Sequence, residues 1–240
     1  MSLPAIPIAP GRATGTLRFA PKPRNAKPGP GPGEVWAYRA DTNVSIAPGV
    51  AAPVGIILGT GCDPGTQAPP GIPMVAGVDD DLLREGERVT IDGSAGSFEL
   101  EGVREVPVVT AFLQRPDGRV LLLQRSARVG SFQGRWAAVS GYLEDPTPLA
   151  QAIREVREET GVPEAGLDLV GTGRPVLSRD GDRVFVVHPF RFRVGSVKVQ
   201  LDWEHTACEW VDPEEIERRP TVPKLATAWQ RVRPPEGAKP

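Results

Sequence analysis

The chain of 240 residues has little of what marks several large protein classes. Its two cysteines, Cys62 and Cys208, stand far apart with no partner motif around either. They read as reduced thiols, which sets aside a disulfide framework, a thiolate metal site and redox chemistry. No apolar run approaches the ~18 residues needed to span a bilayer, and the opening MSLPAIPIAPGR has neither a charged n-region nor a continuous apolar one. The expectation is a cytoplasmic protein without a membrane partner. Charge of one sign is lacking too: 28 Lys and Arg against 30 Asp and Glu give a net charge of −2, with no global bias toward nucleic acid. Function must come from a local site. What is present, 40% hydrophobic and 24% charged residues with 6% aromatics, is the composition of a folded globular chain rather than a disordered one.

Proline and glycine mark a boundary. Residues 1–105 hold 14 Pro and 16 Gly, leaving 13 and 11 for the other 135 residues. In the first half, strand-like pieces around Trp36, Ile56, Thr90 and Phe98 are separated by turn chemistry, which predicts a small β-rich domain over 10–104 behind a tail at 1–9. One short helix is expected there, with an Asp of Asp79 to Asp81 as N-cap and Gly86 as terminator, and PGPGPG at 28–33 reads as a loop or hairpin tip. The second half, 105–233, opens as strand, Pro116–Gly118 turn and strand. Further strands are expected at DRVFVVHPFRFRV and VKVQLDW, helices near PEEIERR and PKLATAWQRVR, and a frayed tail over 234–240.

The clearest helix starts at Thr147 as N-cap, with Pro148 in the first turn, and stops before Gly161. At about 100° per residue, Leu149, Ala152, Ile153, Val156 and Thr160 share one side. Glu155, Glu158 and Glu159, spaced by three and four, share another. Three adjacent carboxylates form either a solvated face or a site for a hard cation bound through oxygen.

The string GYLEDPTPLAQAIREVREETGV resembles the Nudix box, G-x5-E-x7-R-E-U-x-E-E-x-G-U with U aliphatic. From Arg154 onward the match is complete, with Glu155, Val156, Glu158, Glu159, Gly161 and Val162 in register. The flanking VVTAFLQRPDGRVLLLQRS and GRWAAVSG are similar to the strands and tryptophan loop that precede the box. The resemblance implies an α+β fold, a mixed-sheet α/β/α sandwich, that hydrolyses a diphosphate linked to another group. It implies Mg2+ as cofactor, with Mn2+ as a substitute, held by Glu155, Glu158 and Glu159, and a small nucleotide as partner. Arg154 is implied as an orienting residue that reaches Glu158, with an ordinary helix ion pair as the plainer account. Glu204, six residues before Trp210, matches a metal-binding or base glutamate that precedes a tryptophan opening the last strand. Which of Glu204, Glu158 and Glu159 takes the proton from water is left open. His188 reads as a packed strand residue and His205 as one that meets substrate or caps a loop; neither enters the catalytic set.

The box departs from the family in its loop. Gly141 stands thirteen residues before Arg154 where the family has fourteen, and Pro146 occupies the stretch of the loop glutamate. Ser140 replaces a frequent glycine but still offers the backbone carbonyl that the family can turn to a metal. Glu144 is the spare loop carboxylate, a partial substitute or an exposed turn residue.

Over 10–104, GIPMVAGVDDDLLREGERVTIDGSAG resembles the end of the swivelling phosphohistidine domain of phosphoenolpyruvate-utilising enzymes. No histidine precedes its G-I-P run, so phosphotransfer through histidine is excluded and the domain is expected to position, dimerise or cover the catalytic half. Three function classes compete: a metal-dependent hydrolase of a nucleoside diphosphate linked to another moiety, with ADP-ribose-like compounds, NAD(H) or nucleotide sugars as substrates; a non-hydrolytic regulator on the same fold; and a prenyl diphosphate isomerase. The intact REVREE run favours the hydrolase. Pro175, fourteen residues past Gly161, lies near a proline of ADP-ribose-hydrolysing relatives.

Overall fold

Residues 2–20, 33–39, 44, 51–63, 65–67 and 69–235 are described by the computed structural model. They form two compact units, Met1–Arg104 with Gly181–Arg183, and Glu105–Asp180 with Val184–Pro240. Most of PGPGPG and the tail from 236 lie outside the described residues.

The first unit is one eight-stranded sheet. Its strands are β1 (Leu3–Pro4), β2 (Ile6–Ala9), β3 (Arg12–Phe19), β4 (Glu34–Tyr38), β5 (Gly55–Gly59), β6 (Met74–Val78), β7 (Arg88–Asp92) and β8 (Ser97–Leu100). The order is β1-β8-β7-β3-β4-β5-β6-β2, with β3 to β6 mutually parallel and the outer pairs antiparallel. The inner strands VWAY, GIILG and MV read as nearly continuous apolar runs because both faces are covered, as parallel sheets require. The expected tail at 1–9 is overturned: Leu3 is buried opposite Phe98, and Ile6 pairs with Ala76 at the other edge. One extended segment thus covers both edges of the sheet, which tolerates Pro4 and Pro7 because edge strands can lack a donor. The expected helix shrinks to a single 3-10 turn, Asp80–Leu82. Asp79 does not cap it; its carboxylate accepts from Thr60 Oγ1 at 3.1 Å. Gly86 closes the segment at φ 85°, as its position predicted.

The second unit contains β9 (Arg104–Gln114), β10 (Val120–Arg125), β11 (Trp136–Ala137), β12 (Val139–Tyr142), α1 (Pro148–Thr160), β13 (Asp168–Thr172), β14 (Val176–Asp180), β15 (Arg183–Arg193), β16 (His205–Val211) and α2 (Leu225–Val232). The sheet runs β11-β10-β9-β15-β13, with β12 on β9, β14 on β15 and β16 on β10. Alternation along β9 and β10 sends the two faces to separate cores. Ala111, Leu113, Leu121 and Leu123 meet Ala152 and Val156 of α1, while Phe112, Val120 and Leu122 meet Leu225, Ala228 and Trp229 of α2. The result is the α/β/α sandwich.

Two expectations fail for local reasons. VKVQLDW forms no strand: Val197, Val199 and Leu201 pack on the α1 core, while the Gln200 amide donates to Thr160 O at 2.9 Å, at the end of α1. PEEIERR is a 3-10 turn, Pro213–Glu217, fixed by the burial of Ile216. Among the described residues no helix is long and apolar enough to cross a membrane.

A buried cation ties this unit together. Arg191 donates to Val232 O at the end of α2 (2.8 Å), to Gln114 Oε1 on β9 (2.8 Å) and to Val170 O on β13 (3.0 Å). Arg191→Met leaves those acceptors without their donor and is expected to cost about 2–4 kcal/mol. Chemical denaturation checks this: a lowered midpoint is predicted, and an unchanged one contradicts the clamp.

Candidate active site

Helix α1 is fixed at both ends by its own sequence. Thr147 Oγ1 accepts from the Ala150 amide at 3.2 Å, Pro148 supplies a pre-set first turn, and Gly161 at φ 71° turns the chain out of the helix. Its apolar side enters the core through Ala152 and Val156, so its register against β12 is set. That register grades the three helix carboxylates: Glu158 is exposed, Glu155 half-buried and Glu159 buried at 3% exposure.

Glu159 lies between β12 and β16. Its Oε1 accepts from the Ser140 amide at 3.3 Å, while Oε2 faces His205 Nε2 at 3.6 Å. His205 is held from behind by Asp202, Oδ1 to Nδ1 at 2.9 Å. At 3.6 Å no hydrogen bond joins Glu159 to His205, so both buried atoms are without a partner among the described residues. Burial, the neighbouring Glu155 charge and, more weakly, Asp202 and Glu204 lift the Glu159 carboxyl well above the usual range. Burial raises Glu155 as well, with Glu158 and Glu204 adding to the rise.

Gly141 explains why the box needs a glycine. A Cβ there would overlap the Glu155 carboxyl group, so the backbone of β12 packs directly on that side chain. The charge of Glu204, just before β16, reaches both Glu155 and Glu159, so strand and helix bring all four carboxylates to one region. Trp210 lies near the end of β16 rather than opening it.

Arg154 does not reach Glu158 as expected. It turns to the shortened loop, 3.0 Å from Glu144 Oε2 and 3.2 Å from Asp145 Oδ2, because those loop carboxylates approach it from outside the helix. Glu158 instead has Arg157 at 3.9 Å, an exposed contact of little energetic weight. Glu144 and Asp145 together therefore occupy Arg154 in a loop that lacks the family's glutamate. Glu144 is exposed, but it is not an idle turn residue.

A cavity of about 370 Å3 opens over this region. Its lining includes Glu144, Arg154, Glu155, Glu158 and Glu204 together with Phe132, Phe185, Val187, Val222 and Leu225. Phe132 (φ 52°) and Lys224 (φ 63°) are the non-glycine residues with positive φ among the described residues, and both line it. Left-handed backbone at such residues is unfavourable and concentrates at functional sites. Asp202, Asp145 and Gln151 are site-forming residues that the sequence did not reveal, and His205, expected to meet substrate or cap a loop, instead faces Glu159. Pro175 is exposed and does not line the cavity.

A family model of the NUDIX domain matches residues 104–231, more than half of the chain. The chain belongs to the Nudix family. A CTP pyrophosphohydrolase of Escherichia coli (strain K12) is 30% identical over 122 residues, which are 50% of this chain and 86% of that protein. An uncharacterized Nudix hydrolase, NudL, of Salmonella paratyphi B is 29% identical over 133 residues, 51% of this chain and 66% of that one. The crystal structure of a MutT protein from Methanosarcina mazei Go1 is similar at 25% identity and a TM-score of 0.45, covering 55% of this chain and 94% of that one. The protein is thus a Nudix-type hydrolase, and dependence on a divalent metal is typical of the family.

The residues present fit such an ion. No group of three or more His, Cys, Asp or Glu side chains among the described residues stands close enough to hold a metal ion unaided. Converging carboxylates, a buried carboxylate oxygen without a partner, and a backbone packed on Glu155 suit a hard cation that keeps waters and shares phosphate oxygens. Without it, Glu159 is a burden. Its folded pKa lies above its unfolded one, so its contribution to stability is present below the unfolded value and lost as pH rises through the folded value. Glu159→Gln is therefore predicted to raise the melting temperature of the metal-free protein at pH 7.5 by about 2–4 °C. The variant should gain less at pH 5, and added Mg2+ should stabilise it less than the wild type. Melting scans at the two pH values decide it: a loss of stability at pH 7.5 contradicts the assignment.

Proposed function

We propose that the second unit is a magnesium-dependent pyrophosphohydrolase of a nucleoside diphosphate linked to another moiety, with ADP-ribose, NAD(H) and nucleotide sugars as the leading classes. The observation that carries this reading is a cavity lined both by carboxylates, from α1 and from the approach to β16, and by apolar side chains. The carboxylates suit a metal-bound diphosphate, and the apolar side chains suit a nucleobase. Glu155, Glu158 and Glu159, with the Ser140 carbonyl, are the groups assigned to hold Mg2+. When bound, the ion supplies neutralisation of phosphoryl oxygens and a more acidic water.

The chain's own residues then divide the work. Glu204, which lines the cavity, is assigned the base that takes the water proton as its oxygen attacks phosphorus in line. Glu158, exposed and beside Arg157, is assigned to the ion alone. Arg154, held by Glu144 and Asp145, is assigned to keep the loop against the helix rather than to meet substrate. A second substrate class, a nucleoside triphosphate cleaved to a monophosphate and pyrophosphate, is favoured by the name of the CTP pyrophosphohydrolase relative. Both use the same bond chemistry. The first unit contains neither histidine of the chain, and we assign it a non-catalytic role in a cytoplasmic enzyme with reduced Cys62 and Cys208.

A screen of these substrates with Mg2+ tests the proposal. Glu204→Gln should lower kcat by about 10²–10⁴-fold while the protein stays folded. In oxygen-18 water the label should enter a single phosphorus-bearing product of each cleavage. Full activity in excess EDTA, or label on a sugar carbon, overturns the reading.

A further inference from the structure

Gln151 is a fully buried polar residue in α1, one position before the core residue Ala152. Its side-chain Oε1 accepts from the backbone amides of Glu144 and Asp145, each at 2.9 Å, and from Arg154 Nη2 at 2.8 Å. Its Nε2 donates to Glu155 Oε1 at 2.6 Å. The orientation of this amide is forced: three donors converge on one atom, and only the carbonyl oxygen can receive them. The NH2 group must then face Glu155, whose carboxyl also packs against the Gly141 backbone.

We propose that Gln151 is the positioning residue of the metal-binding site, one amide that fixes both the shortened loop and the carboxylate of Glu155. The inference rests on the reading that Glu155 helps to hold the divalent ion. The loop is one residue short and has Pro146 where the family's glutamate falls. Gln151 ties it to the helix by taking two loop N–H groups. The same side chain cannot leave the loop without releasing Glu155, so loop position and ligand orientation are one degree of freedom. A positional error of about 1 Å at such a site is costly.

The test uses the full chain and Mn2+ alone as probe, with free ion read by electron paramagnetic resonance. Gln151→Met keeps the volume and removes every hydrogen bond, and should raise the Mn2+ dissociation constant at least tenfold. In a Glu155→Gln background the same change should add less than twofold, because Gln151 acts through Glu155. A purely packing role would lower the melting temperature and leave the dissociation constant of the folded fraction unmoved. Should Gln151→Met fail to fold, the swap decides. Gln151→Glu keeps an acceptor for the loop but sets two carboxylates face to face, so its melting temperature should fall. Adding Glu155→Gln restores a donor–acceptor pair and should recover it. Equal Mn2+ binding by wild type and Gln151→Met, or no recovery in the swap, overturns the inference while the metal reading stands. Failure of the wild type to bind Mn2+ overturns both.

Discussion

Glu155, Glu158, Glu159 and Glu204 lie near enough that their charges, added to burial, raise the Glu155 and Glu159 carboxyls, and the second unit is organised around that repulsion. Like charges drift apart unless the backbone beneath them is fixed. Here α1 is fixed three times: by the Thr147 cap, by Ala152 and Val156 in the core, and by Gly161 at its end. β12 is fixed by its ladder to β9, which sets the Ser140 amide toward Glu159 and the Gly141 backbone against Glu155. The approach to β16 is fixed through Asp202 and His205. Most of these anchors lie outside the cavity, which Ser140 and Gly141 line. A divalent ion reverses the sign of the interaction, and the same rigidity then presents preorganised oxygen ligands.

The loop shows how a motif can lose parts and keep its geometry. The loop is one residue shorter than in the family and has Pro146 in the stretch of the loop glutamate. Glu144 and Asp145 take Arg154 from the shortened side, and Gln151 takes the loop backbone. The substitution works because all these groups sit on one helical turn and the adjoining loop, where a shift of one residue changes the partner without moving the helix.

Much of the site was legible in the sequence, and the reasons differ by residue. The helix bounds were readable because Thr147, Pro148 and Gly161 each act on the local backbone, independent of tertiary context. Glu155, Glu158 and Glu159 were readable from spacing together with the family pattern. Gln151, Asp145 and the place of His205 beside Glu159 were not, because a buried polar residue is recognised by its partners, and those are supplied by other segments. Arg154 was assigned the wrong partner for the same cause: helix spacing offers Glu158, and only the folded loop brings Glu144 and Asp145 closer. In the first unit, Leu3–Ala9 was read as a tail because a short, proline-broken run has no strand signal of its own. It becomes strand only by completing sheet edges made elsewhere. VKVQLDW shows the reverse: its alternation is real, but it serves packing on α1 rather than a ladder.

The most direct test of the central claim is anomalous diffraction from crystals of the full chain soaked in Mn2+. The account predicts an anomalous peak among the carboxylates of the cavity, within coordination distance of the Glu155 and Glu159 carboxylates and the Ser140 carbonyl. Ordered density there should move Glu159 Oε2 into the ion's coordination shell. No peak among these carboxylates at saturating Mn2+, or a peak on a different part of the chain alone, would contradict it.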